Sequence, residues 1–246
     1  MIVFDRVSFS YGSRSVLRDV SFSIDAAEKV AVLGGSGEGK TTLLKLILAL
    51  VRPESGRIII DGEDITRKSE AELRGIRIKF SIVFQEGALF DSLSVKENVA
   101  FCLREYSKMS EEEIDQKVRT LLRRVGMEDA IDLKPEELSG GMQRRVAIIR
   151  SLACFEPEMF LYDEPATGLD RVNADIIYSL ISELSRHGKG FVMVAHEVRD
   201  AVKVSDRFFL LEKGRLVFDG SKEKLLELPV PEIQISVREW NSCLSC

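Results

Sequence analysis

The stretch Lys29-Val30-Ala31-Val32-Leu33-Gly34-Gly35-Ser36-Gly37-Glu38-Gly39-Lys40-Thr41-Thr42 decides how the rest of the chain is read. An apolar run of strand length, Lys29 to Leu33, gives way to a glycine-rich loop. An apolar helical run from Thr41 to Val51 follows and is stopped by Pro53. Strand, G-x-x-x-x-G-K-[ST] and helix, in that order, make a loop built to hold phosphate. The glycines let backbone N–H groups curl around phosphate oxygens, and the helix N-terminus adds its partial positive charge. In such a loop Lys40 neutralises the β and γ phosphates of ATP, the Thr41 hydroxyl ligates Mg²⁺, and Thr42 brings a second hydroxyl near the phosphates. Gly34, Gly35, Ser36, Gly37 and Gly39 are expected nucleotide contacts. Glu38 is out of place by charge, so its side chain is expected to point to solvent while its N–H serves the phosphates.

Further along, Met159-Phe160-Leu161-Tyr162-Asp163-Glu164 is an apolar strand ending in two acids. Neighbours on a strand point to opposite sides, so Asp163 can hold the Mg²⁺ hydration shell while Glu164 faces a water at the γ-phosphate. As general base, Glu164 needs hydrogen-bond reach of that water. Taken alone, such a pair is equally a capped strand edge; after a phosphate loop in the same chain it points to hydrolysis.

Around these two motifs the chain alternates β-like and helical runs. Strands are expected over Ile2 to Ser10, Val16 to Ile24, Arg57 to Asp61, Ile78 to Phe84, Phe191 to Ala195 and Phe208 to Leu211. The later ones are continuous apolar runs of the kind buried on both faces of a parallel sheet, which makes a mixed α/β sheet with its parallel strands central. From Gln85 to Pro157 the β pattern disappears. There Ser110 and Glu113 form a capping box, and Ile114, Val118, Leu121 and Val125 recur at helical spacing up to Gly126, so this stretch reads as a helical insertion. A last helical run, Lys222 to Leu228, precedes Pro229 and Pro231.

The 246 residues suit one large domain with an insertion, or two small ones. With 45% hydrophobic and 30% charged residues the chain is an ordinary globular one. Its net charge of −5 argues against a broad nucleic-acid surface, which needs a basic face. The most apolar stretch, Leu43 to Val51, carries Lys45 and is too short to cross a bilayer. The first residues lack the apolar centre of a signal peptide, and four cysteines are too few for a disulfide scaffold. The expected location is the cytoplasm.

Between the two phosphate motifs stands Leu138-Ser139-Gly140-Gly141-Met142-Gln143-Arg144-Arg145, which resembles the LSGGQ signature of ABC ATPases. The resemblance covers nearly the whole chain, with the motifs in the family's order. Tyr11 is similar to the adenine-stacking aromatic, unless it is merely an exposed strand-end residue. Gln85 is similar to the Q-loop glutamine, which also reaches the metal; Gly168-Leu169-Asp170 to the D-loop; and His196 to the switch histidine. The implied fold is a P-loop NTPase: a RecA-like mixed-sheet core with an antiparallel β subdomain and the ABC-specific helical subdomain. This implies an ATPase domain over residues 1–228, a helical subdomain inserted at about 86–156, and a tail over 229–246. Ser139, Gly140 and Gly141 open a helical run, Arg144 to Ala153, and offer a second anion site at a helix N-terminus. One molecule already surrounds its phosphates with residues 34 to 41, so the resemblance implies a head-to-tail homodimer in which the signature closes over ATP on the other subunit and Asp170 crosses the interface. Arg144 and Arg145 are expected to be solvated helix charges, and His187 a helix C-terminal residue compensating the dipole.

The segment Glu86 to Val95, with GALFDSL at its centre, and Met142 at the fifth signature position are similar to the ATPase subunits of Mla/Mce-type lipid transporters. That resemblance implies integral-membrane permease partners, an MCE-domain lipid-binding protein, no nucleic acid, and a place on the cytoplasmic face of the inner membrane. A different importer or exporter, or a soluble ATPase of iron-sulfur assembly, is the rival reading. Two positions depart from the family pattern: Ala166-Thr167 before the D-loop, and Ala195 before His196. In the tail, Ile233, Ile235, Val237 and Trp240 suggest docking, and Cys243 and Cys246 read as free thiols rather than half a zinc site.

Overall fold

Alternation along the chain decides which strands share a sheet. In β1 (Ile2–Tyr11) and β2 (Arg14–Ile24) buried and more exposed residues alternate, giving each strand one dry face. These two pair antiparallel; β1 also pairs with β4 (Ser55–Ile60), which carries the short β5 (Glu63–Asp64) on its far side. By contrast β3 (Lys29–Gly34), β7 (Met159–Asp163) and β8 (Gly190–Val194) are buried almost throughout, as strands covered on both faces must be. With β6 (Phe80–Val83), β9 (Arg207–Glu212) and β10 (Arg215–Ser221) they form a six-stranded sheet ordered β10-β9-β3-β8-β7-β6. The computed structural model describes residues 2–85, 87–153 and 157–229. The tail beyond residue 229, with Trp240, Cys243 and Cys246, lies outside them, as do Glu86 and Cys154.

The fold is thus α/β, with a mixed sheet of parallel strands and a separate antiparallel sheet. The parallel strands are not strictly central: they run out to one edge at β6, and the antiparallel member, β10, forms the other edge. Residues on successive positions of each parallel strand enter different cores. Val30, Val32, Leu161, Val192 and Val194 face α1 (Lys40–Ile47) and the antiparallel sheet, and Ala31, Leu33, Phe160, Tyr162, Phe191 and Met193 face the helices that follow residue 94. Phe22 links the two sheets, its ring stacked on Phe4 at 4.5 Å and 4.9 Å from the ring of Phe209.

Between β6 and β7 come α3 (Val95–Tyr106), α4 (Glu111–Arg124) and α5 (Gly140–Ala153). The expected capping box is present: the Ser110 N–H donates to Glu113 Oε2 at 2.7 Å, and Ser110 Oγ accepts from the Glu113 N–H at 3.3 Å. Ser94 and Glu97 repeat it at α3. Then α6 (Arg171–Leu184), α7 (Val198–Val204) and α8 (Lys222–Leu226) follow. His187 ends a short 3₁₀ turn after α6, and Gly188 with φ 77° stops it.

Several expectations change. The helix after the phosphate loop ends at Ile47, not Val51, in a Schellman motif: the Leu50 N–H donates to Lys45 O, the Ala49 N–H to Leu46 O, and Ala49 takes φ 49°. The Arg77 guanidinium then binds the carbonyls of Leu48 and Ala49, satisfying the helix end from a distant element. That element, α2 (Glu70–Arg77), goes unseen in the strand-centred reading; Ser69 and Glu72 cap it and Leu73 and Ile76 bury it, so Ile78 is its C-cap and not a strand residue. Strand β10 is also new, its apolar residues being only half-buried. Arg144 and Arg145 are not freely solvated: the Nε atoms of both are enclosed, and Arg145 Nη1 donates to Val125 O at 2.9 Å. No helix among the described residues is long and apolar enough to cross a membrane.

Candidate active site

The phosphate loop turns where its glycines allow it. Gly34, Gly37 and Gly39 have φ of 148°, 79° and 100°. A Cβ at Gly34 would lie 2.5 Å from the carbonyl oxygen of Leu211, and one at Gly39 2.7 Å from Leu17, so backbone and neighbours are already in contact there. Helix α1 starts after Gly39 with no side chain capping it and no acid in its first turn. Its leading N–H groups are thereby left for an anion.

Lys40 is 4% exposed and reaches back over the loop, donating to the carbonyls of Gly34 and Gly35 at 2.9 Å each. Burial lowers its pKa, opposed by Glu164, Asp163 and Glu38. Thr41 follows on the helix, and its hydroxyl donates to Asp163 Oδ1 at 2.9 Å, joining the loop to the end of β7. Burial pushes the Asp163 carboxyl above the ordinary aspartate range, the hydrogen bond from Thr41 opposing it and the neighbouring Glu164 adding to it. Its partner in sequence turns elsewhere: Glu164 has φ 50°, a left-handed backbone unusual for a residue with a side chain. This carries its carboxylate towards three groups. Oε1 lies 2.7 Å from His196 Nε2 and 4.0 Å from Lys40 Nζ, and Oε2 accepts from the Thr167 hydroxyl at 3.2 Å.

These groups border a cavity of about 390 Å³, lined by Tyr11, Arg14, Val16, Ser36, Gly37, Gly39, Lys40, Thr41, Thr42, Gln85, Glu164 and His196. Most of the residues singled out in the sequence therefore converge here. Gly34 and Gly35 act from behind through their carbonyls. Glu38 does not enter the cavity: its Oε2 accepts the Gly214 N–H at 3.2 Å, so the carboxylate is tied to the β9–β10 turn and not loose in solvent. Tyr11 is 47% exposed, its ring edge-on to Phe9 at 4.8 Å. Gln85 stands exposed in the turn after β6.

Ser139, Gly140, Gly141 and Asp170 do not line this cavity. Ser139 is exposed at the start of α5, where its hydroxyl accepts the Met142 N–H at 3.3 Å. Gly141 packs so closely on α6 that a Cβ would lie 2.6 Å from Asn173 Oδ1. Asp170 caps α6, accepting from Asn173 N and Nδ2 at 3.0 and 2.6 Å. A second cavity of about 310 Å³, walled by the loop before α6 and by α7, shares Glu164 and His196 with the first.

Two lining or contacting residues were missed in the sequence. Thr167 stands out in the sequence only as a departure in residue order, though its hydroxyl steadies Glu164. Arg14 carries no motif; the signal was the two-residue turn Gly12-Ser13, which sets it opposite Tyr11.

The site fits a nucleoside triphosphate with a hard divalent cation. An uncapped helix N-terminus, a buried ammonium and a glycine cradle suit phosphate. A hydroxyl and a carboxylate at 2.9 Å are the sparse oxygen set that Mg²⁺ shares with substrate phosphates and water.

Residues 17–167 match the family model described as ABC transporter. The chain is 38% identical over 229 residues to the intermembrane phospholipid transport system ATP-binding protein MlaF of Escherichia coli K12, covering 93% of this chain and 85% of that one. It is 40% identical over 224 residues to the spermidine/putrescine import ATP-binding protein PotA of Aggregatibacter actinomycetemcomitans, covering 91% of this chain and 58% of that one. Among solved structures, a dimeric post-hydrolysis state of the ATP-binding cassette MJ0796 bound to ADP and Pi superposes with a TM-score of 0.81. The two are 32% identical, and the match covers 90% of this chain and 98% of that one.

Proposed function

This chain belongs to the ABC transporter family as an ATP-binding subunit, and on that premise we propose that it hydrolyses ATP to drive phospholipid transport between membranes. The observation that carries the ATPase reading is the meeting of four elements at one cavity: Lys40 and Thr41 on α1, Glu164 after β7, His196 after β8 and Gln85 after β6, with Asp163 at the end of β7 bound to the Thr41 hydroxyl. The phospholipid reading is supported by the 38% identity to the MlaF protein over 93% of this chain.

In this reading ATP lies with its base towards Tyr11 and its phosphates over Gly37 to Thr42. Lys40 leaves the Gly34 and Gly35 carbonyls for the β and γ phosphates. Thr41, Asp163 and Gln85 hold Mg²⁺, which when bound neutralises charge on the phosphate oxygens. Glu164 orients a water and takes its proton as the oxygen bonds to the γ-phosphorus; the bond from that phosphorus to the bridging oxygen breaks, and ADP leaves with the electron pair. His196 and Thr167 hold the Glu164 carboxylate, and His196 steadies the γ-phosphate.

A second copy supplies the missing part. Because Ser139 to Gly141 do not line their own phosphate cavity, the reading seats them on ATP bound to a partner subunit. The dimeric state of the MJ0796 structure agrees with this. Closure of such a dimer would move the surface beside Gln85, where Phe90 and Phe101 are exposed and their rings lie 4.8 Å apart. We assign that apolar surface to the integral-membrane permease; in this reading the chain works at the cytoplasmic face of the inner membrane, with an MCE-domain lipid-binding protein in the same assembly.

Purification of the full chain from its own membranes in mild detergent, with mass spectrometry of bound proteins and lipids, tests the proposal. A polytopic membrane protein carrying phospholipid, and ATPase activity that rises in the assembly, are expected. A soluble scaffold partner, or a polyamine-type import system, would overturn the lipid reading.

A further inference from the structure

Tyr11 and Arg14 stand directly opposite one another across the turn that joins β1 to β2. Opposed residues of an antiparallel pair project on the same face, and both line the phosphate cavity. The Arg14 side chain crosses to the glycine loop: a Cβ at residue 37 would lie 2.9 Å from its Nη2. The guanidinium thus reaches the loop at Gly37, on the wall of the cavity that Tyr11 also lines.

Its surroundings leave the charge unused. On these two sheets Arg57 is engaged by Asp5 and Arg207 by Asp219 and Glu28, and Arg18 of β2 donates to the Ser15 hydroxyl. Among the described residues Arg14 makes no ion pair. Holding an exposed, many-rotamer side chain over a backbone loop costs entropy that no protein partner repays here. The loop beneath it is built for phosphate, and a planar guanidinium is the side chain best shaped to grip phosphate oxygens. Lys40 lines the same cavity, and a triphosphate carries more charge than one ammonium neutralises.

We propose that Arg14 is a nucleotide-binding residue which grips the phosphate chain of ATP from the β1–β2 turn, closing the cradle together with Lys40. The inference rests on the ATP-binding reading above and adds a residue to it. It also gives Gly37 a second reason to lack a side chain: a Cβ there would displace the guanidinium. Bound phosphate then tethers the antiparallel sheet to the loop through one side chain.

Calorimetric titration of the full chain with Mg²⁺-ATP and with tripolyphosphate, which has the phosphates but no base, tests this in wild type, Arg14→Gln and Arg14→Lys, each shown by melting to be folded. Loss of a charge-assisted contact should weaken ATP binding by Arg14→Gln by about tenfold or more, with tripolyphosphate weakened by the same factor and the salt dependence shallower. Arg14→Lys should recover only part of the loss. ATP affinity unchanged in Arg14→Gln, or a loss for ATP that spares tripolyphosphate, would overturn the proposal while leaving the ATPase reading intact. Wild-type protein that takes up neither compound would overturn both.

Discussion

His196 Nε2 and Glu164 Oε1 lie 2.7 Å apart, and the same carboxylate oxygen is 4.0 Å from Lys40 Nζ. The residue assigned to activate water is therefore held between the two groups assigned to the γ-phosphate. Arrival of that phosphate draws Lys40 and His196 to itself and leaves Glu164 facing the space where the water must stand.

Glu164→Gln keeps the shape and one of the two acceptor oxygens but cannot accept a proton. ATP binding should persist while steady-state phosphate release falls by about 10² to 10⁴-fold, and ATP should drive the variant into a dimer detectable by light scattering. Turnover close to wild type would remove Glu164 from its role.

Asp163 is 5% exposed, and its carboxyl is pushed up by burial. With a folded pKa above the unfolded one, the native state binds the extra proton, so this group's contribution to stability falls as pH rises through that window. Asp163→Asn keeps an acceptor for Thr41 and removes the buried charge. The nucleotide-free variant should be more stable by about 1–2 kcal/mol at neutral pH, with the advantage shrinking on acidification below the folded pKa. Mg²⁺-dependent hydrolysis should be lost. Denaturation at several pH values with a parallel ATPase assay checks both signs.

Glu38 adds a negative charge within reach of Lys40 but is moored to the Gly214 N–H. Replacing it with Ala should leave ATP affinity unchanged or tighten it, since repulsion of the phosphates is removed. The cost is one hydrogen bond to the β9–β10 turn, about 1 kcal/mol in a melt. Weaker ATP binding in a titration would show that the carboxylate helps the nucleotide.

Ala49 occupies the left-handed position of the Schellman motif with φ 49°, where glycine carries no Cβ penalty. Ala49→Gly should stabilise the chain by about 0.5–1 kcal/mol after the unfolded-state entropy of glycine is counted, read as a higher urea midpoint at unchanged slope.

What was legible in the sequence was local. Lys29 to Thr41 and Met159 to Glu164 each carry strand and chemistry in one short unbroken stretch, and the structure brings them together at Thr41 and Asp163. What stayed hidden was set by distant partners. The end of α1 is fixed by Arg77, about thirty residues on, whose donors satisfy carbonyls that the apolar run to Val51 gave no reason to expose. The direction of Glu38 depends on a turn at Gly214, far along the chain, that only the sheet order brings near. Thr167 shows the reverse case, a local residue passed over because its importance lies in a hydroxyl and not in its place in a pattern.

The left-handed backbone of Glu164 makes fold and chemistry compete at one codon. Asparagine and glycine rest more easily at φ 50° than glutamate does. A library randomised at residue 164 and sorted only for resistance to heat should therefore drift towards those two residues and away from turnover. The same library sorted for growth on an essential transport task should return to glutamate. The gap between the two harvests would measure how much steadiness the chain forgoes to keep its base in position.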